Sequence, residues 1–189
     1  MEDIIKLVEH NGYKIEITRD ENMENPNNYL IAQLAYDHKQ FYVDAKVNNL
    51  LVKAKAIHDH IGAWMQTHYV ILVAAYIHSG VSLSIFSDDT NYDRFDTSYS
   101  GYLLIPHDYT NDINMINVAN DAIEIWNKYL SGDGYQYRIY TENTCDCCGN
   151  TTEIDFESCN GFLDIDKAID DAKSIIDSQY ESKNNCETN

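Results

Sequence analysis

The run Tyr69-Val70-Ile71-Leu72-Val73-Ala74-Ala75-Tyr76-Ile77 constrains the fold of this chain more than any other stretch. It carries no charge and is rich in β-branched and aromatic residues, so an extended backbone here presents apolar side chains on both faces. Such a strand has to be covered from both sides, which predicts the middle of a sheet with further layers above and below it. The run is far too short to span a bilayer as a helix.

The neighbouring segments supply those layers. Tyr13 to Thr18 alternates in side-chain character at period two, as a half-buried strand does, and the polar stretch Asn22 to Asn28, with Pro26, is a turn region leading to a second expected strand, Tyr29-Leu30-Ile31-Ala32. From Val47 the apolar positions Val47, Leu50, Ala54, Ile57, Ile61 and Trp64 recur every three or four residues, which predicts an amphipathic helix ending near Thr67. Val81 to Phe86 and Tyr102 to Ile105 read as strands separated by an acidic, aromatic loop. A second helix, capped by Asn111 or Asp112, aligns Ile113, Ile116, Ala119, Ile123, Trp126 and Leu130 on one stripe and stops at Ser131-Gly132-Asp133-Gly134. Tyr135 to Tyr140 and Glu153 to Phe156 read as hairpin partners across a cysteine loop. A last helix starts at about Asp166 and buries Ile165, Ala168, Ile169, Ala172, Ile175 and Ile176. With no regular βαβ repeat, the expectation is an α+β fold: one domain over residues 1–181, an antiparallel or mixed sheet packed by about three helices, and a polar tail over 182–189.

Charge narrows the partners. The 31 acidic residues against 13 basic ones give a net charge of -18, a field that repels nucleic acid and anionic membrane and favours a basic partner surface. The expectation is no direct nucleic-acid binding and no membrane binding, although acidity also serves plain solubility. The segment Met1 to Lys6 lacks a basic region followed by an apolar run, and five cysteines, three of them crowded into Cys145-Asp146-Cys147-Cys148, fit a reducing cytoplasm better than a secreted disulfide framework. The expected location is the cytoplasm of a host cell.

Four groups of residues carry candidate chemistry. Cys145, Cys148 and Gly149 have the two-residue gap and the glycine of a zinc knuckle, in which backbone N–H groups of the turn bond the thiolates; Cys147 and Cys159 are the candidates to complete a four-ligand site. Disulfide chemistry or a plain cysteine-rich hairpin loop are the alternatives. His58-Asp59-His60 has metal-ligand residue types, but residues two apart on a helix point in different directions. His78, beside Ser79 at the end of the apolar run, stands where sites collect, or serves as a hydrogen-bonded structural histidine. Asp88, Asp89, Asp93 and Asp96 offer oxygen ligands for Mg²⁺ or Ca²⁺ at spacings that match no calcium loop, and otherwise form a solvated acidic surface. Ser79, Ser98 and Ser100 lack a nucleophile elbow, and there is no phosphate-cradling or dinucleotide fingerprint.

Several short motifs fall in a shared order: Gly12-Tyr13-Lys14-Ile15, Tyr76-Ile77-His78-Ser79-Gly80, Phe95-Asp96-Thr97-Ser98-Tyr99-Ser100-Gly101-Tyr102-Leu103, Tyr129-Leu130-Ser131-Gly132-Asp133-Gly134-Tyr135-Gln136-Tyr137, and Ser158-Cys159-Asn160-Gly161-Phe162. From residue 12 to about 180 this order resembles an uncharacterised family of small proteins encoded by bacteriophages and conjugative elements. Their pattern runs Gly-Tyr-x-Ile, Tyr-Asp-His-Ser-Gly, Trp-Asp-Ser-Gly-Gln-Val-Gly-Phe-Ile, Tyr-Leu-x-Gly-x-Val-Tyr-Gly-Tyr, Ser-Cys-Trp-Gly-Phe and a C-terminal helix. The chain departs from it at Phe95 and Asn160, where the family has Trp, at Thr97-Ser98, and in the Cys145 to Cys148 segment. The resemblance implies no activity; it implies a viral or mobile-element setting, in which small acidic proteins blunt host defence.

Together these readings predict a non-enzymatic protein that binds and inhibits a host defence or nucleic-acid-handling protein with a basic surface, by mimicry of nucleic acid, through Asp88, Asp89, Asp93 and Asp96 and through Asp166, Asp170, Asp171 and Asp177 of the last helix. A second expectation is sequestration of a small signalling nucleotide by His78, Tyr99 and Tyr102, which requires a compact pocket with local Lys or Arg. A third is a metal-dependent hydrolase using His78 with Asp93 or Asp96. The only cofactor expected is zinc, on Cys145, Cys147, Cys148 and Cys159.

Overall fold

A computed structural model describes residues 3–77, 80–86, 97–109 and 114–186, with the backbone alone described at 97–100 and 180–186. In chain order the elements are β1 (Lys6–His10), β2 (Tyr13–Arg19), a 3-10 turn (Pro26–Asn28), β3 (Gln33–His38), β4 (Phe41–Val43), β5 (Ala45–Val47), β6 (Leu50–Val52), α1 (Ala54–Asp59), α2 (Ile61–Trp64), β7 (His68–Ile77), β8 (Val81–Ile85), β9 (Thr97–Pro106), α3 (Met115–Ser131), β10 (Tyr135–Thr144), β11 (Thr151–Phe162) and α4 (Ile165–Cys186). The chain is α+β, and every described strand pairing is antiparallel. No helix among the described residues is long and apolar enough to cross a membrane. The elements fall into two compact units, residues 1–23 with 132–189 and residues 24–131.

The 24–131 unit is built on a five-stranded sheet of order β4-β3-β9-β7-β8. The apolar run is β7 and is covered on both faces, as its composition requires. Val73 and Ala75 join Leu34, Tyr36, Leu103 and Ile105 against Ala119, Ala122, Ile123 and Trp126 of α3, while Val70 and Leu72 lie on the other face with Ala35, Tyr102, Leu104 and Ile57 of α1. The middle of the sheet is nevertheless β9 rather than β7, because β9 pairs with both β3 and β7 and is itself buried on both faces from Gly101 to Ile105. Asn127 of α3 closes the outer edge: Leu83 of β8 donates its N–H to the Asn127 Oδ1 at 2.7 Å and accepts from Nδ2 at 3.0 Å. A side-chain amide thus takes the place of a further strand.

The helix expected over Val47 to Thr67 is replaced in its first part by a hairpin. Val47 pairs with Leu50 across Asn48-Asn49, which have φ of 50° and 65°, the left-handed pair that a type I′ turn demands and that Asn tolerates better than other non-glycine residues. Leu50 and Leu51 stand 69% and 73% exposed, so the apolar spacing there was not a buried stripe. Only α1 and α2 are helical, with Ala54 and Ile57 buried. The strand expected at Tyr29 to Ala32 starts later, at Gln33, after the 3-10 turn whose Asn27 bonds Leu34 and Asp44.

In the other unit the two ends of the chain build one sheet of order β1-β2-β10-β11, with α4 packed on it through Ala168, Ile169, Ala172 and Ile176 against Ile15, Ile17, Tyr137 and Ile139. Strand β1 was not anticipated. His10 pairs with Tyr13 across Asn11-Gly12, with φ of 48° and 81°, an Asn-Gly hairpin turn plain in the sequence. The β10–β11 hairpin forms as expected, and α4 remains helical as far as Cys186. The caps expected at Asn111 and Asp112 lie outside the described residues.

Candidate functional site

The cysteine loop is the tip of the β10–β11 hairpin. Thr144 pairs with Thr151, and the loop between them is closed by the Cys145 N–H on the Asn150 carbonyl and the Gly149 N–H on the Cys145 carbonyl, each at 2.8 Å. Gly149 has φ +71°, a conformation in which a Cβ is strained. This fold-back gathers the thiols: the sulfurs of Cys145, Cys147 and Cys148 all lie within 4.8 Å of one another, those of Cys145 and Cys147 at 2.8 Å. All three are unbridged and exposed. A hydrogen bond from the Cys147 thiol, with the backbone N–H groups of Cys147 and Cys148, lowers the Cys145 thiol to about 7, so its thiolate is populated at neutral pH. The same contact raises Cys147. Three thiols so placed can hold a metal ion.

Cys159 does not complete this set. It lies on β11 opposite Tyr137, eight residues beyond Thr151, or about 26 Å along a strand. The sequence brought it into the set by residue type; the strand ladder separates it.

Carboxylates are organised on the outward face of the same sheet. Alternation sends Ile15, Ile17, Tyr137 and Ile139 into the core and turns Lys14, Glu16, Arg138 and Glu142 outward. Arg138 is surrounded by acids: Nη2 lies 2.8 Å from Glu153 and 2.5 Å from Asp155, and Nη1 lies 4.0 Å from Glu16. Its guanidinium also covers the Tyr140 ring at 4.7 Å. Lys14 pairs with Glu142 at 2.5 Å and faces Glu9 across the ladder. Five carboxylates, Glu9, Glu16, Glu142, Glu153 and Asp155, thus outnumber the two cations Lys14 and Arg138, and a groove of about 440 Å³ runs beside Glu16, Arg138 and Asp155. No sequence motif marks this face. The period-two alternation of β2 and β10 would have found it once their pairing was known.

On α4, Asp166, Asp170, Asp171 and Asp177 are exposed, and three of these four contact the sheet. Asp166 lies 3.7 Å from Lys6, Asp171 accepts from the Tyr137 hydroxyl at 2.8 Å, and Asp177 accepts from His10 and from Asn11, each at 2.7 Å. Asp170 makes no such contact among the described residues. Asp88, Asp89, Asp93 and Asp96 lie outside the described residues, as does His78, and Tyr99 falls on β9 where only the backbone is described. Tyr102 is 8% exposed and its hydroxyl is bonded to His58 Nδ1 at 2.7 Å, so its ring packs beneath α1 instead of offering a face to a nucleotide base. His58 is accounted for by the same bond.

The 24–131 unit has a cleft of about 590 Å³ lined by Gln33, Lys46, Gln66, His68, His107 and Asp108 among others. Burial, then the neighbouring His107, pushes His68 below its ordinary value, against Asp108, which leaves it neutral at pH 7. These residues come from β3, β5, the turn before β7, the first residue of β7 and the turn after β9, so no local motif announces them. Among protein families, curated proteins and solved structures, nothing matches this chain.

Proposed function

We propose that this protein binds a basic surface of a host protein that otherwise holds nucleic acid, and inhibits it by occupancy without catalysing a reaction, in the mobile-element setting that the motif resemblance implies. The observation that carries the reading is the net charge of -18 together with a rigid sheet face on which five carboxylates outnumber two cations. Side chains on one face of a strand recur about every 6.6 Å and neighbouring strands lie about 4.8 Å apart, so these carboxylates form a fixed lattice of negative charge. A lattice on a sheet needs no ordering when a partner docks, and opposite charge steers the encounter.

The test is capture of host proteins on the tagged chain at low and high salt, followed by neutralisation of separate groups of acids: Glu142→Gln with Glu153→Gln and Asp155→Asn on the sheet, Asp88, Asp89, Asp93 and Asp96 to Asn in the 88–96 segment, and Asp166, Asp170, Asp171 and Asp177 to Asn on α4. A stoichiometric partner released by high salt and weakened by the sheet variant supports the reading. Binding that withstands high salt and all three sets defeats it.

A second reading, sequestration of a small anionic ligand such as a nucleotide, is favoured by one observation: in a chain poor in bases, the cleft of the 24–131 unit combines the Lys46 cation with the imidazoles of His68 and His107, which can donate hydrogen bonds. Its residues differ from His78, Tyr99 and Tyr102. A thermal shift with nucleotides that Lys46→Ala abolishes would establish it. For the thiol cluster we propose zinc as the ion, on the Cys-x-x-Cys-Gly spacing and the N–H groups aimed at Cys145.

A further inference from the structure

Zinc binds thiolate sulfur at about 2.3 Å, so two sulfurs in one tetrahedral shell stand about 3.8 Å apart. The Cys145, Cys147 and Cys148 sulfurs, all within 4.8 Å of one another, reach that arrangement by small rotations of exposed side chains. They then form three corners of a tetrahedron.

Nothing in the described chain forms the fourth corner. No His, Asp or Glu joins the three sulfurs, not even Asp146 inside the same loop, and Cys159 lies far along β11. The tip projects beyond the last ladder pair, Thr144 with Thr151, and all three cysteines are exposed, so the remaining corner opens outward. Structural zinc sites close with four protein ligands, whereas sites with three keep a position for an external one.

We propose that the hairpin tip is an open three-thiolate zinc site whose fourth position is held by exchangeable solvent and accepts an imidazole, as a histidine side chain of a docking protein would supply. This rests on the zinc reading above. Charge selects the class of ligand. Three thiolates on a divalent ion leave the site one negative charge in a protein already at -18, so a neutral imidazole is favoured over a further anion. The loop would then add a directional bond to an association otherwise driven by diffuse charge.

The full chain, reduced and stripped of metal, is titrated with Co²⁺ as a spectroscopic probe. A single ion per chain is expected, with a sulfur-to-cobalt charge-transfer band and tetrahedral d–d bands that shift when imidazole is added. Cys159→Ser and Cys186→Ser keep the spectrum and its response, while Cys145→Ser, Cys147→Ser and Cys148→Ser each lose charge-transfer intensity at unchanged far-UV circular dichroism. Bands that imidazole does not move, release of the ion by Cys159→Ser or Cys186→Ser, or one ion shared between two chains would each overturn the open site while leaving a metal site in place. Failure to bind Co²⁺ at all would overturn the zinc reading itself.

Discussion

At Gly101 the five-stranded sheet admits no side chain. A Cβ there would stand 2.0 Å from a ring carbon of Tyr36, and that ring is fully buried against Phe41, with centroids 5.3 Å apart. The ring has no open space to move into, so Gly101→Ala should cost about 1–3 kcal/mol of stability by overpacking, measured by urea denaturation. A loss of only a few tenths would show that Tyr36 relocates. Cys145 allows a second residue-level prediction. Because the Cys147 thiol and two backbone N–H groups lower it to about 7, alkylation of Cys145 in the metal-free protein should be half-maximal near pH 7. Cys147→Ala should move that midpoint upward by removing the largest of these contributions, read by peptide mass spectrometry across a pH series.

At the scale of elements, two side chains do work that backbone pairing does elsewhere. Asn127 of α3 satisfies both the N–H and the C=O of Leu83 on the edge strand β8. Asn127→Ala should destabilise by roughly 1–3 kcal/mol through the unpaired groups, and the bared edge should promote self-association, visible in light scattering. Tyr137 ties β10 to α4 through Asp171. Burial first, and then this bond, push its phenol well above the ordinary value near 10. The folded form holds the proton more tightly than the unfolded one, so this stabilisation is complete below about pH 10 and is lost as pH rises through the folded value. Tyr137→Phe should lower stability by about 0.5–1.5 kcal/mol at neutral pH and flatten the decline seen above pH 10 in denaturation profiles. Elements also show where periodicity misleads. The apolar spacing from Val47 to Trp64 fits a helix, yet Asn48-Asn49 turns left-handed and makes a hairpin, because turn chemistry acts locally and an apolar count does not know which side chains will be buried.

For the whole molecule the dominant quantity is charge. At -18 the folded chain repels itself, and salt screens that repulsion over about 10 Å at 0.1 M. The midpoint of urea unfolding should therefore rise between roughly 0.01 M and 0.2 M NaCl; a midpoint that falls would mean that ion pairs such as Lys14 with Glu142 outweigh the mean repulsion. The two units each bury their own core, one around α3 and β9 and the other around α4 and β10. The unit holding the thiol tip and the acidic sheet face combines residues 1–23 with 132–189, a combination that local sequence patterns do not announce.

What the sequence determined by itself is local. The Tyr69 to Ile77 run had to be a strand covered on both faces, α3 and α4 follow from their apolar stripes, and Cys145 to Gly149 had to turn with thiols close together, since each depends on residues within a few positions of one another. The α+β class follows from the same local readings. What only the tertiary structure decided is pairing at long range: that β9 rather than β7 is central, that β2 lies beside β10, that Cys159 is separated from the thiol tip, and that Tyr102 is buried beneath α1. The acidic face exists for the same reason. Glu16 meets Arg138 across a ladder that joins residues more than a hundred positions apart, and no local propensity encodes such a partner, because it is chosen by the free energy of burying both core faces at once.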